Sequence, residues 1–117
     1  MGEQKAADRE AKVRELIEEI KSEHPEWQLF VIDIPGDDEI YIARKCPWAE
    51  YKRIAQALID DPVGANEIIV QSFLVHPRLP HEDLLTKLPP GKIVTLAVKI
   101  QEGLGFAGMD KAKIRNF

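Results

Sequence analysis

The stretch that decides the fold runs from residue 27 to residue 44 and reads WQLFVIDIPGDDEIYIAR. Two runs rich in β-branched and aromatic residues, WQLFVID and EIYIAR, flank the turn sequence PGDD, and this arrangement indicates a β-hairpin. Proline followed by glycine suits the two central positions of a type II turn. Side chains alternate along a strand, so Ile40 and Ile42 share one face of the hairpin. We expect one face to be buried.

An amphipathic helix is predicted before the hairpin, over residues 1–25. This segment is rich in strong helix formers, and Val13, Leu16, Ile17 and Ile20 follow one another at i, i+3, i+4 and i+7. The proline at position 25 ends the helix, because it disfavours helical geometry in the residue before it. The other side chains of this helix are mostly charged, so the apolar stripe needs a partner surface, either on its own domain or on another chain. The hairpin needs a cover as well, because a lone hairpin is barely stable in water.

Three further helices are predicted after the hairpin. Their expected ranges are 46–60, opened by Cys46-Pro47, then 65–75, ended by His76-Pro77, and 90–104, opened by Pro89-Pro90-Gly91. The first has the clearest apolar face, the second is apolar nearly all round, and the third stops at Gly103 in a left-handed conformation. A buried strand competes with the second helix because the run is short and β-branched. A short turn of helix is expected within residues 82–88.

These elements predict a mostly helical α+β fold: an N-terminal helix, one β-hairpin, and three helices packed on the hairpin's apolar face. We expect a single domain over residues 1–106, made of the helix at 1–25, the hairpin at 26–45 and a helical part at 46–106, followed by a basic tail at 107–117. The predicted core consists of Leu16, Ile20, Phe30, Ile32, Ile40, Ile42, Tyr51, Leu58, Ile69, Phe73, Leu96 and Ile100.

Composition and charge exclude several classes of function. The formal net charge is −4, which argues against general nucleic-acid binding, because such proteins usually carry a basic excess. The chain has one cysteine, Cys46, so an intrachain disulfide is excluded and a cytosolic location is expected. No apolar run approaches the ~18 residues that a membrane span needs. We therefore expect a soluble protein with no membrane or nucleic-acid partner.

Metal binding and catalysis have little support in the residue pattern. His76 and His81 lie five residues apart without a ligand set typical of zinc, and no catalytic signature surrounds Cys46. The adjacent carboxylates at 37–39 and 60–61 fall at predicted turns, where aspartate serves the local backbone. No phosphate-binding loop is present. We predict no catalytic residues, no metal site and no cofactor.

The order of motifs over residues 39–106 resembles the tail assembly chaperones of long-tailed bacteriophages, small proteins encoded beside the tape measure. The resemblance is carried by the strand EIYIAR at 39–44 leading into PWAEYK at 47–52, by an apolar run ending in VHP at 75–77, and by LPPG at 88–91 opening a last helix that ends in GLGF at 103–106. One departure is that Cys46-Pro47-Trp48 stands where those relatives carry a serine or threonine cap.

The resemblance implies a non-enzymatic protein that binds tape-measure protein, tail-tube subunits or both while a phage tail is built. Its location would then be the host cytoplasm during assembly, or the virion tail. Two alternatives stay open: a structural subunit retained in the tail or baseplate, and a small host-targeting effector or enzyme. A homo-oligomer is also open. The residues predicted to bind a partner are Val13, Leu16, Ile17, Ile20, Trp27 and Trp48.

Overall fold

Five helices and three strands follow one another along residues 2–105, the part of the chain that a computed structural model describes. In chain order they are α1 (Gly2–Glu23), β1 (Leu29–Ile32), β2 (Tyr41–Arg44), α2 (Trp48–Asp60), α3 (Ala65–Phe73), β3 (Leu74–His76), α4 (His81–Thr86) and α5 (Pro90–Gly103). The predicted mostly helical α+β class is confirmed, with its N-terminal helix, hairpin and further helices. The predicted basic tail at 107–117 lies outside the described residues.

The hairpin and its turn form as the sequence predicts. β1 and β2 pair antiparallel, with Leu29 opposite Arg44 and Ile32 opposite Tyr41. Gly36 has a φ of 82°, the left-handed conformation that the second central position of a type II turn requires. Arg9 of α1 holds this end of the hairpin, because its guanidinium lies 2.8 Å from the Asp33 carboxylate.

A third strand corrects the prediction of one continuous helix over residues 65–75. α3 ends at Phe73, and β3 continues the chain as the last strand of a sheet ordered β1-β2-β3. β3 pairs antiparallel with β2, with Leu74 opposite Ala43 and His76 opposite Ile42. The free edge of β2 offers these residues backbone hydrogen bonds, and Pro77 disfavours helical geometry in the residue before it. The competing strand interpretation is therefore correct for the end of this run.

Both faces of the sheet are buried, which corrects the expectation of one buried face. Ile42 packs with Val13 and Leu16 of α1 on one side. Tyr41 and Ala43 pack on the other side against α3, α4 and α5. Tyr41, Ile42 and Ala43 are all at most 3 % exposed. The sheet thus forms a middle layer between α1 and the remaining helices, and α1 docks on its own domain.

The main core lies between the sheet, α3 and α5. Its fully buried side chains include Phe73 of α3, Leu84 of α4, and Leu96 and Ile100 of α5. Leu84 is absent from the predicted core, whereas the predicted core residues Ile20, Phe30, Tyr51 and Leu58 are only half-buried. The core therefore depends on α3 and α5 more than on α2.

α2 contributes less to the core than its sequence pattern predicts. None of its residues is buried, and Trp48 and Ile59 are 69 % and 71 % exposed. Tyr51 and Leu58 reach the main core only at its margin. The spacing of apolar residues correctly indicates an amphipathic helix, but the outer position of α2 leaves much of its apolar surface in solvent.

The end of α5 differs from the predicted left-handed stop at Gly103. Gly103 is the last residue of the helix, and the positive φ, 107°, belongs to Gly105. A different constraint acts at position 103, where a Cβ atom would overlap the ring of Phe30. Glycine is needed there because β1 and α5 approach each other closely.

Replacing Gly103 with alanine is expected to lower the free energy of unfolding by about 1–3 kcal/mol, because the added methyl overpacks the contact with Phe30. Gly91 is the matched control, since it lies in the same helix and a Cβ there meets no atom within 4 Å. Gly91→Ala is expected to leave stability unchanged or raise it by up to about 1 kcal/mol. Urea titrations of both variants measure the difference, and equal effects at the two positions would contradict the close approach.

Candidate functional site

The apolar stripe of α1, predicted to bind a partner, faces the chain's own sheet. Val13 and Leu16 are 4 % and 9 % exposed, and Ile17 and Ile20 are half-buried beside them. Of the two kinds of docking that the sequence leaves open for this stripe, the structure shows the one on the chain's own domain. The hairpin needs an apolar cover, and the stripe supplies it at lower entropic cost than a separate molecule would.

Trp27 is half-buried between neighbours of its own chain. Its ring stacks on His24, with 3.7 Å between the ring centroids and an interplanar angle of 11°. The Arg44 guanidinium lies 5.5 Å from the centre of the Trp27 ring, within the range of a cation–π contact. Trp27 therefore helps to close the end of the sheet where β1 begins and β2 ends.

Trp48 is the predicted partner-binding residue that the structure leaves exposed. It stands at the first position of α2 and lies against Tyr51, with 5.9 Å between the ring centroids. Cys46 and Leu104 complete this lining around a cavity of about 150 Å³, and a second cavity of about 380 Å³ shares Cys46 and Leu104. We call Cys46, Trp48, Tyr51 and Leu104 the Trp48 surface. It brings the start of α2 next to the end of α5.

The Trp48 surface is supported by side-chain contacts beneath it. Tyr51 stacks in turn on the buried Phe73, with 6.4 Å between the ring centroids. The Arg44 guanidinium donates a hydrogen bond of 2.6 Å to the Glu50 carboxylate, which ties the end of β2 to the first turn of α2. This hydrogen bond lowers the pKa of Glu50. The exposed Trp48 thus stands on a helix end that this ion pair links to the sheet.

Cys46 serves this surface as an apolar side chain. Burial raises the pKa of the Cys46 thiol, and the nearby Glu50 charge raises it further. The thiolate is the nucleophilic and metal-binding form of cysteine. A raised pKa therefore favours the neutral thiol at neutral pH, which fits a half-buried structural cysteine.

The paired carboxylates lie at turns and helix ends, whereas His76 ends β3 and His81 begins α4. The described range 2–105 holds no group of three or more His, Cys, Asp or Glu side chains that is arranged to bind a metal ion. His81 lies 3.3 Å from the Glu67 carboxylate. Asp37 accepts a hydrogen bond from the backbone N–H of Glu39, and Asp61 accepts one from that of Gly64. Both aspartates thus serve the local backbone, as predicted.

One ionic cluster escapes sequence reasoning because its members come from distant parts of the chain. The Asp37 carboxylate lies 2.7 Å from the Lys92 ammonium and accepts a hydrogen bond of 2.7 Å from the Tyr41 hydroxyl. Lys92 and then Tyr41 hold the pKa of Asp37 at about 2, below its ordinary value of 3.8. The cluster joins the hairpin turn to the first turn of α5, so we assign it a structural role.

Asp37→Asn is expected to lower the free energy of unfolding by about 1–2 kcal/mol at pH 7, because it removes a charged hydrogen-bond acceptor. The folded-state pKa of Asp37 is depressed, so its contribution is present above about pH 4 and is lost as pH falls towards 2. The stability difference between wild type and variant should shrink over the same window. Denaturant titrations from pH 2 to 7 test this, with the exposed neighbour Asp38→Asn as a control. A pH-independent difference would contradict the assignment.

These features define a small α+β domain with an exposed aromatic surface at one helix end. No family model matches the chain, and neither curated proteins nor solved structures give a match. Within residues 2–105, no helix is both long enough and apolar enough to cross a membrane.

Proposed function

We propose that this chain is a non-enzymatic phage tail morphogenesis protein, similar to a tail assembly chaperone. In this proposal it binds tape-measure or tail-tube protein through the Trp48 surface. The observation that carries the proposal is the 69 % exposure of Trp48 on a supported helix end. Large aromatic side chains are favoured anchors of protein interfaces.

The order of motifs supports the same assignment. The first motif of the phage resemblance crosses from β2 into α2, and the last motif ends α5 at Gly103-Leu104. In the folded chain both motifs meet at the Trp48 surface, through Tyr51 on one side and Leu104 on the other, while Trp48 itself belongs to the segment in which this sequence departs from those relatives. Motifs far apart in sequence thus contribute to one exposed patch. A shared binding role accounts for their occurrence together.

The size of the Trp48 side chain suits an anchor in a reversible complex. Burying a tryptophan removes about 150–250 Å² from water, and truncation of such an anchor typically weakens binding by about 2 kcal/mol or more. Trp48 would therefore supply a large share of the binding free energy through one residue, while the rest of the interface sets how long the complex lasts.

Trp48→Ala is expected to abolish co-purification with the tape-measure or tail-tube protein encoded beside it, or to weaken binding at least about 30-fold. The matched control is Ile59→Ala, which removes an equally exposed side chain from the far end of the same helix, about 16 Å along its axis. Both variants should fold normally, since exposed substitutions change stability by about 0.5 kcal/mol or less. Wild-type protein that captures neither tail component would contradict the proposal.

Mass spectrometry of purified virions separates the chaperone from a retained structural subunit. A chaperone acts during assembly and should be missing from finished particles. A tail or baseplate subunit should be present in fixed stoichiometry. Detection of this chain in virions at a constant ratio to tube protein would replace the chaperone assignment with the structural one.

A further inference from the structure

The open edge of β3 lies between two adjoining cavities. In the sheet order β1-β2-β3, β3 pairs with β2 and forms one edge. Edge strands present backbone N–H and C=O groups to which an additional strand can bind. The sequence offers a strand here only as the competitor of a helix, so this edge adds a candidate site that the motif analysis did not reveal.

The two cavities approach β3 from opposite sides of the sheet. The larger, of about 320 Å³, reaches α3 at Val70, and the smaller, of about 170 Å³, reaches α1 at Leu16. Trp27, Val75 and Arg78 line both cavities. The side chains of an added strand alternate between the two faces of the sheet. Neighbouring residues of such a strand would therefore enter different cavities. In strand addition, pockets for alternate side chains give the interaction its specificity.

Charge defines the occupant of the larger cavity. Its ionisable lining residues are Arg44, Arg78 and His81, with no carboxylate among them. Arg44 is ion-paired with Glu50, and His81 lies beside Glu67, so those charges have partners. Arg78 is exposed and forms no ion pair with any side chain of residues 5–105, although Glu19 and Glu23 line the smaller cavity that it also borders. An incoming carboxylate would supply that partner.

We propose that the β3 edge binds an extended segment of a partner protein, with an acidic side chain of that segment in the larger cavity beside Arg78. The next residue of the segment is apolar and enters the smaller cavity beside Leu16 and Ile20, where the neighbouring Glu19 and Glu23 carboxylates disfavour a second acidic side chain. This site is separate from the Trp48 surface. Its failure would leave binding through Trp48 intact, and the two proposals are tested by different variants.

The test uses a blocked hexapeptide of alternating glutamate and valine as the probe, titrated into ¹⁵N-labelled full-length protein at 0.15 M salt. We expect shift changes centred on residues 74–78, and weaker binding, by at least tenfold, when lysine replaces glutamate in the peptide. A peptide with N-methyl groups at alternate positions, which cannot complete the strand ladder, should lose binding to a similar degree. Equal binding of all three peptides, shifts confined to other residues, or no binding at millimolar peptide would overturn the proposal.

Arg78→Glu and Lys52→Glu provide the matched variants. Both reverse one exposed basic side chain, but Lys52 lies on α2 and lines neither cavity. Arg78→Glu should weaken binding of the glutamate peptide at least tenfold, and Lys52→Glu should change it less than twofold. Equal losses in the two variants would show a general charge effect and overturn the assignment of Arg78. Tighter binding of a single-stranded oligonucleotide at residues 74–78 would also overturn it.

Discussion

Phe73→Ala is expected to lower the free energy of unfolding by about 3–5 kcal/mol, the largest loss for any single truncation considered for this chain. Phe73 is fully buried where α3 meets β3, and it belongs to the core shared with α5. The Tyr51 ring stacks on the Phe73 ring, and the Arg44 guanidinium lies 5.3 Å from the centre of the Phe73 ring. Removal of the ring leaves a cavity that these neighbours fill only in part.

Thermal unfolding followed by circular dichroism measures this effect. A loss of this size should lower the melting temperature by at least about 10 °C in a domain of this length. Phe73→Leu keeps most of the apolar volume, so its expected loss is smaller, about 1–2 kcal/mol. An unchanged melting temperature for Phe73→Ala would mean that α3 does not form the centre of the core.

Ile42→Ala is expected to lower the free energy of unfolding by about 2–5 kcal/mol. Ile42 is fully buried on the central strand, and it packs against Val13 and Leu16 of α1. The loss therefore reports on the docking of α1 on the sheet. If α1 instead left this face for a partner, Ile42 would be partly exposed in the free protein, and truncation would cost much less.

Ile59→Ala is the matched control for Ile42→Ala, because it makes the same chemical change at a side chain that is 71 % exposed. We expect its effect to stay within about 0.5 kcal/mol. Urea titrations of the two variants under the same conditions give the comparison. Similar losses for both would contradict the layered arrangement of α1, sheet and remaining helices.

Local sequence signals predict most elements of the fold. The periodicity of α1, the PGDD turn of the hairpin, and the prolines that open α2 and α5 act over a few residues, so they can be recognised without tertiary information. The end of α3 depends on tertiary structure, because Leu74–His76 become a strand only by pairing with β2. Leu84 was missed because α4 has six residues, too few for a helical period to be recognised.

The candidate site is only partly predictable for the same reason. Trp48 is named from the sequence as an aromatic anchor, and the structure leaves it exposed. The α1 stripe has the same apolar character, yet it is covered by Ile40 and Ile42 of the hairpin region. Amphipathicity indicates that a helix needs a partner surface, but it does not specify whether that surface belongs to the same chain. Leu104 joins the site only through the packing of α5.

The central claim is that partner binding uses the Trp48 surface while α1 stays docked on its own sheet. Hydrogen–deuterium exchange of the free chain and of its complex with a co-purified tail protein tests this most directly. We predict new protection at residues 46–51 on complex formation and unchanged exchange at residues 13–20. Protection that appears at 13–20 and not at 46–51 would contradict the claim.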